Sequence, residues 1–486
     1  MSSYFTELAQ QYIDGEWRPG TGSWDIIDFN PYDGEKLAAI TIATSDEIDE
    51  AYRAAARAQR AWAEAGAYAR RVVLEKALRL LEEREEELAE VIVAELGGTR
   101  VKAAFELHLA KEFLREAVNL TLRPEDRLIA SPDPRKENRL YRVPVGVVGV
   151  ISPFNFPFLL TLKSVAPALA LGNAVVVKPH QDTPITGGSA LAKLFEDAGL
   201  PAGLLNVVVT DIAEIGDSFI DHPVPKVISF TGSDRIGRHV ATVCARNFKR
   251  AILELGGNSA LVVLDDADID YAVDAAVFSR YVHQGQVCMA ANRVLVDRSI
   301  ADEFTEKFVA KVKSLRAGDP RDPDTVIGPV INASQAESIS GTVEQAIAEG
   351  ATALVHGTTT GNLVEPSVLT GLPADSPLLR QEVFGPVAFL LTFDGEEEAV
   401  RLVNDTPYGL SGAVHTADVE RGVRFAQRID TGMFHVNDGT VHDEPLVPFG
   451  GEKNSGVGRL NGESTVDAFT TLKWISVQHG RSGFPF

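Results

Sequence analysis

A cysteine that acts as a nucleophile needs a base for its proton steps and a donor for the oxyanion it creates. The sequence contains two cysteines, and Cys288 stands in Tyr281-Val-His-Gln-Gly-Gln-Val-Cys288-Met-Ala-Ala-Asn-Arg293, just after a Gln-Gly-Gln run. The glycine there lets the backbone approach a ligand closely or take up a conformation other residues avoid. Upstream lies Ile252-Leu-Glu254-Leu-Gly-Gly-Asn258, an acid between apolar neighbours followed by two glycines. A carboxyl flanked by Leu253 and Leu255 is expected to have a raised pKa, as a base working near neutrality needs. Taken alone, Cys288 also reads as a small buried hydrophobe, which is what most lone intracellular cysteines are.

Four further stretches fall at strand ends or turns, where binding residues gather. Ser152-Pro-Phe-Asn-Phe-Pro157 follows a strand. The amide of Asn155 can donate to an oxyanion there, or simply close an Asx turn. Lys178-Pro-His-Gln181 follows another strand, where a lysine suits a nucleotide ribose or phosphate but equally an ordinary solvated position. Phe230-Thr-Gly-Ser233-Asp-Arg-Ile-Gly237 reads as strand, turn and helix. Such a turn can offer backbone N–H groups and a serine to a pyrophosphate, although it is not the Gly-x-Gly-x-x-Gly fingerprint. Gln381-Glu-Val-Phe-Gly-Pro386 sets an acid and an aromatic before a rigid turn. Each is modest singly; together with the Cys288 and Glu254 segments they are far more specific.

The elements that must position these residues come next. At 486 residues the chain should divide into two or three domains. From Val145 the pattern is α/β: apolar runs at 145–151, 174–177, 206–209 and 227–230 alternate with helices at 162–171, 187–199 and 237–246. That alternation argues a doubly wound parallel sheet with ligands at the carboxyl ends of its strands. A second α/β block starts near Ser259, with strands at 260–264, 293–296 and 387–393 and helices at 268–281, 300–315 and 396–404. The N-terminal part reads as short strands and turns, then a helix capped by Ser45, then one long helix through Leu74, Leu81, Leu88 and Ile92 that ends at Gly97-Gly98. Residues 128–143 look like a hairpin with an open edge, and the strand-like 471–478 could pair with it.

Composition excludes some partners. A net charge of −22 opposes nucleic acid and anionic membranes. The longest apolar run, Val165 to Val177, is interrupted by Pro167, Gly172 and Asn173 and is too short to span a bilayer. Met1-Ser-Ser-Tyr lacks the pattern of a secretory signal, two cysteines suit a reducing compartment, and the histidines show no metal-ligand spacing. The expectation is a cytoplasmic, metal-free protein.

With these motifs in this order, the chain resembles the NAD(P)-dependent aldehyde dehydrogenases along essentially its whole length. The resemblance implies that Cys288 is the nucleophile, Glu254 the general base and Asn155 the oxyanion donor. It implies NAD or NADP as cofactor, contacted by Ser152, Phe154, Lys178, Gln181, Gly232, Ser233, Leu255, Glu382 and Phe384. Asn404-Asp-Thr-Pro-Tyr-Gly-Leu-Ser-Gly412 and Pro448-Phe-Gly-Gly451 are similar to further family stretches of structural role. Two positions depart from the usual pattern. Many members have tryptophan where this chain has Phe154, and many NAD-preferring members have glutamate where it has the neutral Gln181, which makes NADP use an expectation. The implied architecture is a Rossmann-type dinucleotide-binding domain (1–120 and 145–253), a catalytic α/β domain (254–470) and a small β oligomerisation segment (121–144 and 471–486). A homodimer or homotetramer is expected.

The Pro-Phe-Asn-Phe-Pro-Phe and His-Gln-Gly-Gln-Val-Cys-Met variants are most similar to members that oxidise aromatic aldehydes, such as benzaldehyde and vanillin dehydrogenases. Phe154, Phe156 and Phe158 crowd the loop, with Val287 and Met289 beside the nucleophile; at least one of the three aromatics is expected to pack in the core. Two rivals stand beside this reading. One is an aliphatic or semialdehyde dehydrogenase of the same family. The other is a cysteine hydrolase or acyl transferase with His283 as base to Cys288; a non-catalytic protein of the same fold is a further alternative.

Overall fold

The computed structural model describes residues 3–123, 125–373 and 375–486. Met1 and Ser2, part of the segment read for a secretory signal, lie outside them. Two sheets dominate. The first runs from edge to edge through Glu16–Arg18, Gln11–Ile13, Leu205–Val207, Ala174–Lys178, Val147–Ile151, Val227–Thr231, Arg250–Glu254 and Gly456–Val457. Its five middle strands are parallel, and antiparallel pairs close both edges. Val175, Val176 and Val177 are wholly buried because helices cover both faces. That is why the central strands read as unbroken apolar runs.

The second sheet runs Thr352–Val355, Ser367–Thr370, Val387–Phe393, Ala291–Asp297, Ser259–Val263, Gly412–His415 and His435–Val436, parallel except for its first pair. A three-stranded antiparallel sheet stands apart: Arg127–Ile129 and Lys136–Pro144 are joined by Thr470–Gln478 of the same chain. Leu128, Leu472, Trp474 and Ile475 remain exposed on it.

Several elements differ from the sequence reading. Thr44, not Ser45, caps the first long helix, because Glu47 returns its carboxylate to the Thr44 N–H at 3.0 Å in a capping box. The helix read through Leu74 to Ile92 is two, Gly66–Glu83 and Glu85–Leu96. They break at Arg84, whose side chain pairs with Asp197 at 2.7 Å while Glu85, Glu86 and Glu87 begin the second helix. Arg100–Leu120, Ala333–Ala348, Val419–Ala426 and Gly462–Phe469 are helices that the pattern did not suggest. The helix expected from Gly187 begins with a π turn at Ile185–Ser189 and continues over Ala190–Asp197. Buried Glu95 accepts from the Ile185 and Thr186 N–H groups at 2.7 and 2.8 Å and fixes that entry. The helix expected from Leu162 starts at Pro157, and that expected from Gly237 starts at Asp234, capped by Ser233. Among the described residues no helix is long and apolar enough to cross a membrane, and no group of His, Cys, Asp and Glu is placed to hold a metal ion.

Gly97 ends the Glu85–Leu96 helix in the left-handed region, at φ +68°. A Cβ there would lie 2.5 Å from Pro329 Cγ and 2.8 Å from Pro31 Cγ. Gly97→Ala should therefore destabilise the protein by about 2–4 kcal/mol, from left-handed strain plus overpacking. Chemical denaturation would show it as a lowered midpoint at unchanged slope; an unmoved midpoint would contradict the strain argument.

Candidate active site

In the first sheet, Ser152 to Asn155, Lys178, Gly232-Ser233 and Glu254 all lie at or just beyond the carboxyl ends of parallel strands, so they line one edge. In the second sheet, Gly257, Cys288 and Phe384 come just before the amino ends of the parallel strands Ser259–Val263, Ala291–Asp297 and Val387–Phe393. The segment Glu254-Leu-Gly-Gly-Asn258 runs directly from one sheet into the other. The carboxyl edge of the first sheet therefore meets the amino edge of the second, and the clusters separated in sequence share that seam.

Cys288 is delivered by a loop of unusual backbone. His283, Gln284 and Gly285 take φ values of +50°, +54° and +73° in succession. Gln284 Nε2 donates to Gly97 O at 3.2 Å and Pro329 O at 2.8 Å. Gln286 Oε1 accepts from Ile331 N at 3.0 Å, and Thr440 Oγ1 donates to Met289 O at 2.7 Å. Asn155 joins this loop: its Nδ2 donates to Gln286 O at 3.1 Å, which leaves a second amide proton on the same nitrogen free to meet an oxyanion.

The charges around Cys288 are asymmetric. Glu254 is buried and neither carboxyl oxygen has a hydrogen-bond partner among the described residues. Burial pushes its pKa up to about 8; Lys163 and Arg459 oppose the shift and Asp443 adds to it. Cys288 is partly exposed. Burial of the thiol, then the nearby carboxyls of Glu382 and Glu254, push its pKa up to about 12, with Lys163 opposing. His283, the base required by the hydrolase reading, is buried, and burial and then Lys102 drive its pKa well below the usual value against the opposing effect of the Asn155 backbone. Its ring meets Phe156 edge-on at 5.4 Å and makes no hydrogen bond to Cys288.

The cofactor candidates divide by what their side chains already do. The Lys178 ammonium makes no hydrogen bond or ion pair among the described residues, and burial lowers its pKa. Gln181 is exposed. Ser233 caps a thirteen-residue helix and Gly232 hydrogen-bonds to Glu254 O at 3.0 Å. Glu382 accepts from Gly257 N at 3.0 Å, and burial raises its pKa to about 7. Phe384 meets Phe154 edge-on at 5.7 Å. Two candidates face inward: Ser152 Oγ accepts from Thr161 Oγ1 at 2.6 Å and donates to Pro153 O, and Leu255 is buried against Gly237. Phe158 is wholly buried in the core, Phe156 is buried beside Phe105 and His283, and Val287 and Met289 are buried.

Sequence reading missed several residues that hold the site. Glu106 Oε1 accepts from the Phe158 and Leu159 N–H groups at 3.0 and 3.1 Å, while its other oxygen pairs with buried Lys102. This pins the helix that begins directly after Asn155-Phe156. Lys163 pairs with Asp443 at 2.6 Å, both side chains buried, and lies 3.5 Å over the Phe449 ring. Lys102 and Glu106 stand four apart on an otherwise apolar helix face, which is the one local signal available. Lys163 and Asp443 carried none, because their pairing is visible only in three dimensions.

A family model described as the aldehyde dehydrogenase family matches residues 17–475. A benzaldehyde dehydrogenase of Bacillus subtilis (strain 168) is 56% identical over 482 residues, covering 99% of this chain and 99% of that protein. A vanillin dehydrogenase of Corynebacterium glutamicum is 47% identical over 474 residues, covering 97% of this chain and 98% of that one. The crystal structure of a NAD-dependent benzaldehyde dehydrogenase from Corynebacterium glutamicum matches with a TM-score of 0.90 and 43% identity, covering 99% of this chain and 98% of that chain.

A carboxyl with a pKa of about 8 is half ionised at that pH, and the fraction able to accept a proton from water falls as the pH drops below it. Any step that needs Glu254 as base should therefore accelerate as pH rises towards about 8 and level off beyond. Glu254→Gln should erase that limb of a pH–rate profile while leaving the thiol-dependent rise at higher pH. A wild-type profile with no inflection on this side would rule the assignment out.

Proposed function

The chain belongs to the aldehyde dehydrogenase family, and from that premise we propose that it oxidises an aromatic aldehyde of the benzaldehyde or vanillin type to the carboxylic acid with NAD. The observation that carries the catalytic assignment is Glu254. It is a buried carboxyl with no hydrogen-bond partner among the described residues, close enough to Cys288 to raise the thiol's pKa. The names of the similar proteins support the aromatic substrate class. A line of rings supports it too: Phe278, 42% exposed, meets Phe105 at 6.5 Å, Phe105 meets Phe156 at 6.3 Å, and Phe156 meets His283 of the nucleophile loop. All three contacts are edge-on, the arrangement that also receives an aromatic ligand, at roughly 0.5–1.5 kcal/mol per pair beyond burial.

In this reading the Cys288 thiol gives its proton to solvent water and Sγ attacks the aldehyde carbon, so that an S–C bond forms as the carbonyl π bond breaks and its electron pair moves to the oxygen. Asn155 Nδ2 and the Cys288 N–H donate to the resulting oxyanion. Bound NAD supplies the acceptor for the hydride that the carbon gives up. Glu254 takes a proton from water, the water oxygen attacks the thioester carbon, and Sγ leaves as thiolate with release of the acid. The residues present fit a dinucleotide. Lys178 makes no hydrogen bond or ion pair among the described residues and suits ribose hydroxyls, the Ser233-capped helix suits a pyrophosphate, and Glu382 with Phe384 suits the nicotinamide side. Gln181 carries no charge to repel a 2′-phosphate, so NADP is accepted as well. The same reading takes 1–120 with 145–253 as the dinucleotide-binding domain, 254–470 as the catalytic domain, and 121–144 with 471–486 as the oligomerisation segment. The exposed Trp474, Leu472 and Ile475 support a homodimer or homotetramer, and two free thiols support a cytoplasmic enzyme.

Cys288→Ala should abolish oxidation while dinucleotide binding survives, Cys244→Ala should leave activity nearly intact, and Asn155→Ala should cost about 10²–10³ in rate. Wild-type turnover in the Cys288 variant would end the catalytic assignment. For the substrate, absorbance of reduced nicotinamide across an aldehyde panel decides, with NAD and NADP run in parallel. Higher kcat/KM for benzaldehyde and vanillin than for acetaldehyde or a carboxylate-bearing semialdehyde is expected. Preference for either of the latter would leave only the family-level reaction.

A further inference from the structure

Arg280, in the last turn of the Ile269–Tyr281 helix, is 0% exposed and makes no ion pair among the described residues. Its guanidinium is held by neutral oxygens. Nη1 donates to Asn292 Oδ1; Nη2 donates to Gly285 O at 2.9 Å, to Val383 O at 3.1 Å and to Gly385 O. Burial lowers its pKa to about 10, so it is still a cation at neutral pH. A buried cation is costly; Nε finds no partner among the described residues and Glu382 acts on the guanidinium only through space, so four neutral oxygens collected on Nη1 and Nη2 call for an explanation beyond charge balance.

The four acceptors come from the segments that form the site. Gly285 O belongs to the left-handed turn leading to Cys288. Val383 O and Gly385 O flank Phe384 and directly follow Glu382. Asn292 closes the circuit: its Nδ2 lies 3.5 Å from Gly257 O, and Gly257 N donates to Glu382 Oε1 at 3.0 Å. A ring therefore runs from Arg280 through Asn292, Gly257, Glu382 and Val383 back to Arg280. It passes through the stretch after Glu254, the stretch after Cys288 and the cofactor-side stretch at Glu382. Gly285 and Gly257 have no room for a Cβ: one at Gly285 would overlap Arg280 Nη2 and Gly385 O, and one at Gly257 would overlap Cys288 O.

We propose that Arg280 is a positioning residue that sets the nucleophile loop against the Glu382 segment, so that occupancy of the dinucleotide site is felt at Cys288. The proposal rests on Cys288 as nucleophile and Glu382 as a cofactor contact. The planar fork fixes the separation of Gly285 O from Val383 O and Gly385 O, and with it the approach of the thiol to the cofactor side. A lysine ammonium is a compact point charge on a flexible stem and cannot bridge the same acceptors.

The test uses Arg280→Lys in the full-length enzyme. Three quantities are read: NAD affinity by quenching of intrinsic fluorescence, kcat with benzaldehyde, and the rate of Cys288 alkylation by iodoacetamide with and without NAD. The alkylation rate needs no turnover, so it reports on the loop even if the substrate assignment is wrong. In the wild type, NAD should change the alkylation rate. In Arg280→Lys that change should collapse towards none and kcat should fall about 10²-fold, the scale of a misplacement near 1 Å, while NAD still binds and the thermal transition stays cooperative. Wild-type kcat together with an undiminished NAD effect on alkylation would overturn the proposal. So would a fall in kcat matched by an equal loss of NAD affinity, which marks a structural role only. If Arg280→Lys does not fold, Asn292→Ala breaks the ring on its other side and decides by the same alkylation readout. Failure of Cys288→Ala to abolish activity is a separate outcome that removes the catalytic assignment instead.

Discussion

The site depends on a backbone turn that the chain adopts only under compulsion. His283 and Gln284 both bear side chains and both stand in the left-handed region, with Gly285 following. Each non-glycine residue there costs roughly 1–2 kcal/mol, so the turn persists because its surroundings over-determine it. The anchors come from widely separated parts of the chain: Gly97 and Pro329 hold Gln284, Ile331 and Asn155 hold Gln286, Arg280 holds Gly285, and Phe156 packs on His283. The product is a reversal of direction between a helix that ends at Tyr281 and a strand that begins at Ala291. The reversal puts Cys288 at the seam between the sheets, partly exposed.

Two buried glutamates show how environment assigns roles to one residue type. Glu106 is surrounded by donors: two helix N–H groups and the Lys102 ammonium. Its carboxylate is a fixed structural charge that closes the amino end of the Pro157–Ala170 helix and thereby steadies the loop carrying Asn155. Glu254 has no donor among the described residues. With desolvation outweighing the opposing charges of Lys163 and Arg459, its pKa is pushed up to about 8. The contrast also explains why the chain tolerates acids on both sides of a thiol. Burial raises the pKa of Glu254 to about 8 and that of Glu382 to about 7, so near neutral pH Cys288 does not face two full negative charges.

Much of this was legible in the sequence. Short unbroken apolar runs rich in β-branched residues, such as Ala174-Val-Val-Val177, read as strands buried on both faces, and their alternation with helices gave the parallel sheets and the edge where ligands gather. The site candidates were legible through spacing and chemistry: an acid before paired glycines, a cysteine after a glycine turn, an asparagine between aromatics. What escaped has physical causes. Arg100–Leu120 follows Gly97-Gly98, and a double glycine hides a helix that starts two residues later under a Thr99 cap. The break at Arg84 depends on a partner, Asp197, more than a hundred residues away. Arg280, Lys163 and Asp443 looked like ordinary polar positions because nothing local marks a buried charge whose partners arrive from other elements. Of the three loop aromatics, the sequence allowed at least one core position, and Phe158 takes it; the different surroundings of Phe154 and Phe156 follow from a bend that alternation alone does not encode.

The paired glycines after Glu254 show why motif and geometry coincide. Gly256 and Gly257 both have negative φ, which any residue can adopt, so conformational freedom is not why they are glycine. Space is: a Cβ at Gly256 would overlap Glu382 Oε2, and one at Gly257 would overlap Cys288 O. The segment that follows Glu254 must therefore pass within van der Waals contact of both the Cys288 carbonyl and the Glu382 carboxyl. With Gly257 N bonded to Glu382 at 3.0 Å, the crossing between the two sheets is a packed joint. Relative movement of the sheets at this point would have to break that contact. The separations among Glu254, Cys288 and Glu382 are accordingly set by backbone packing, which holds them more closely than long side chains reaching across a cleft could.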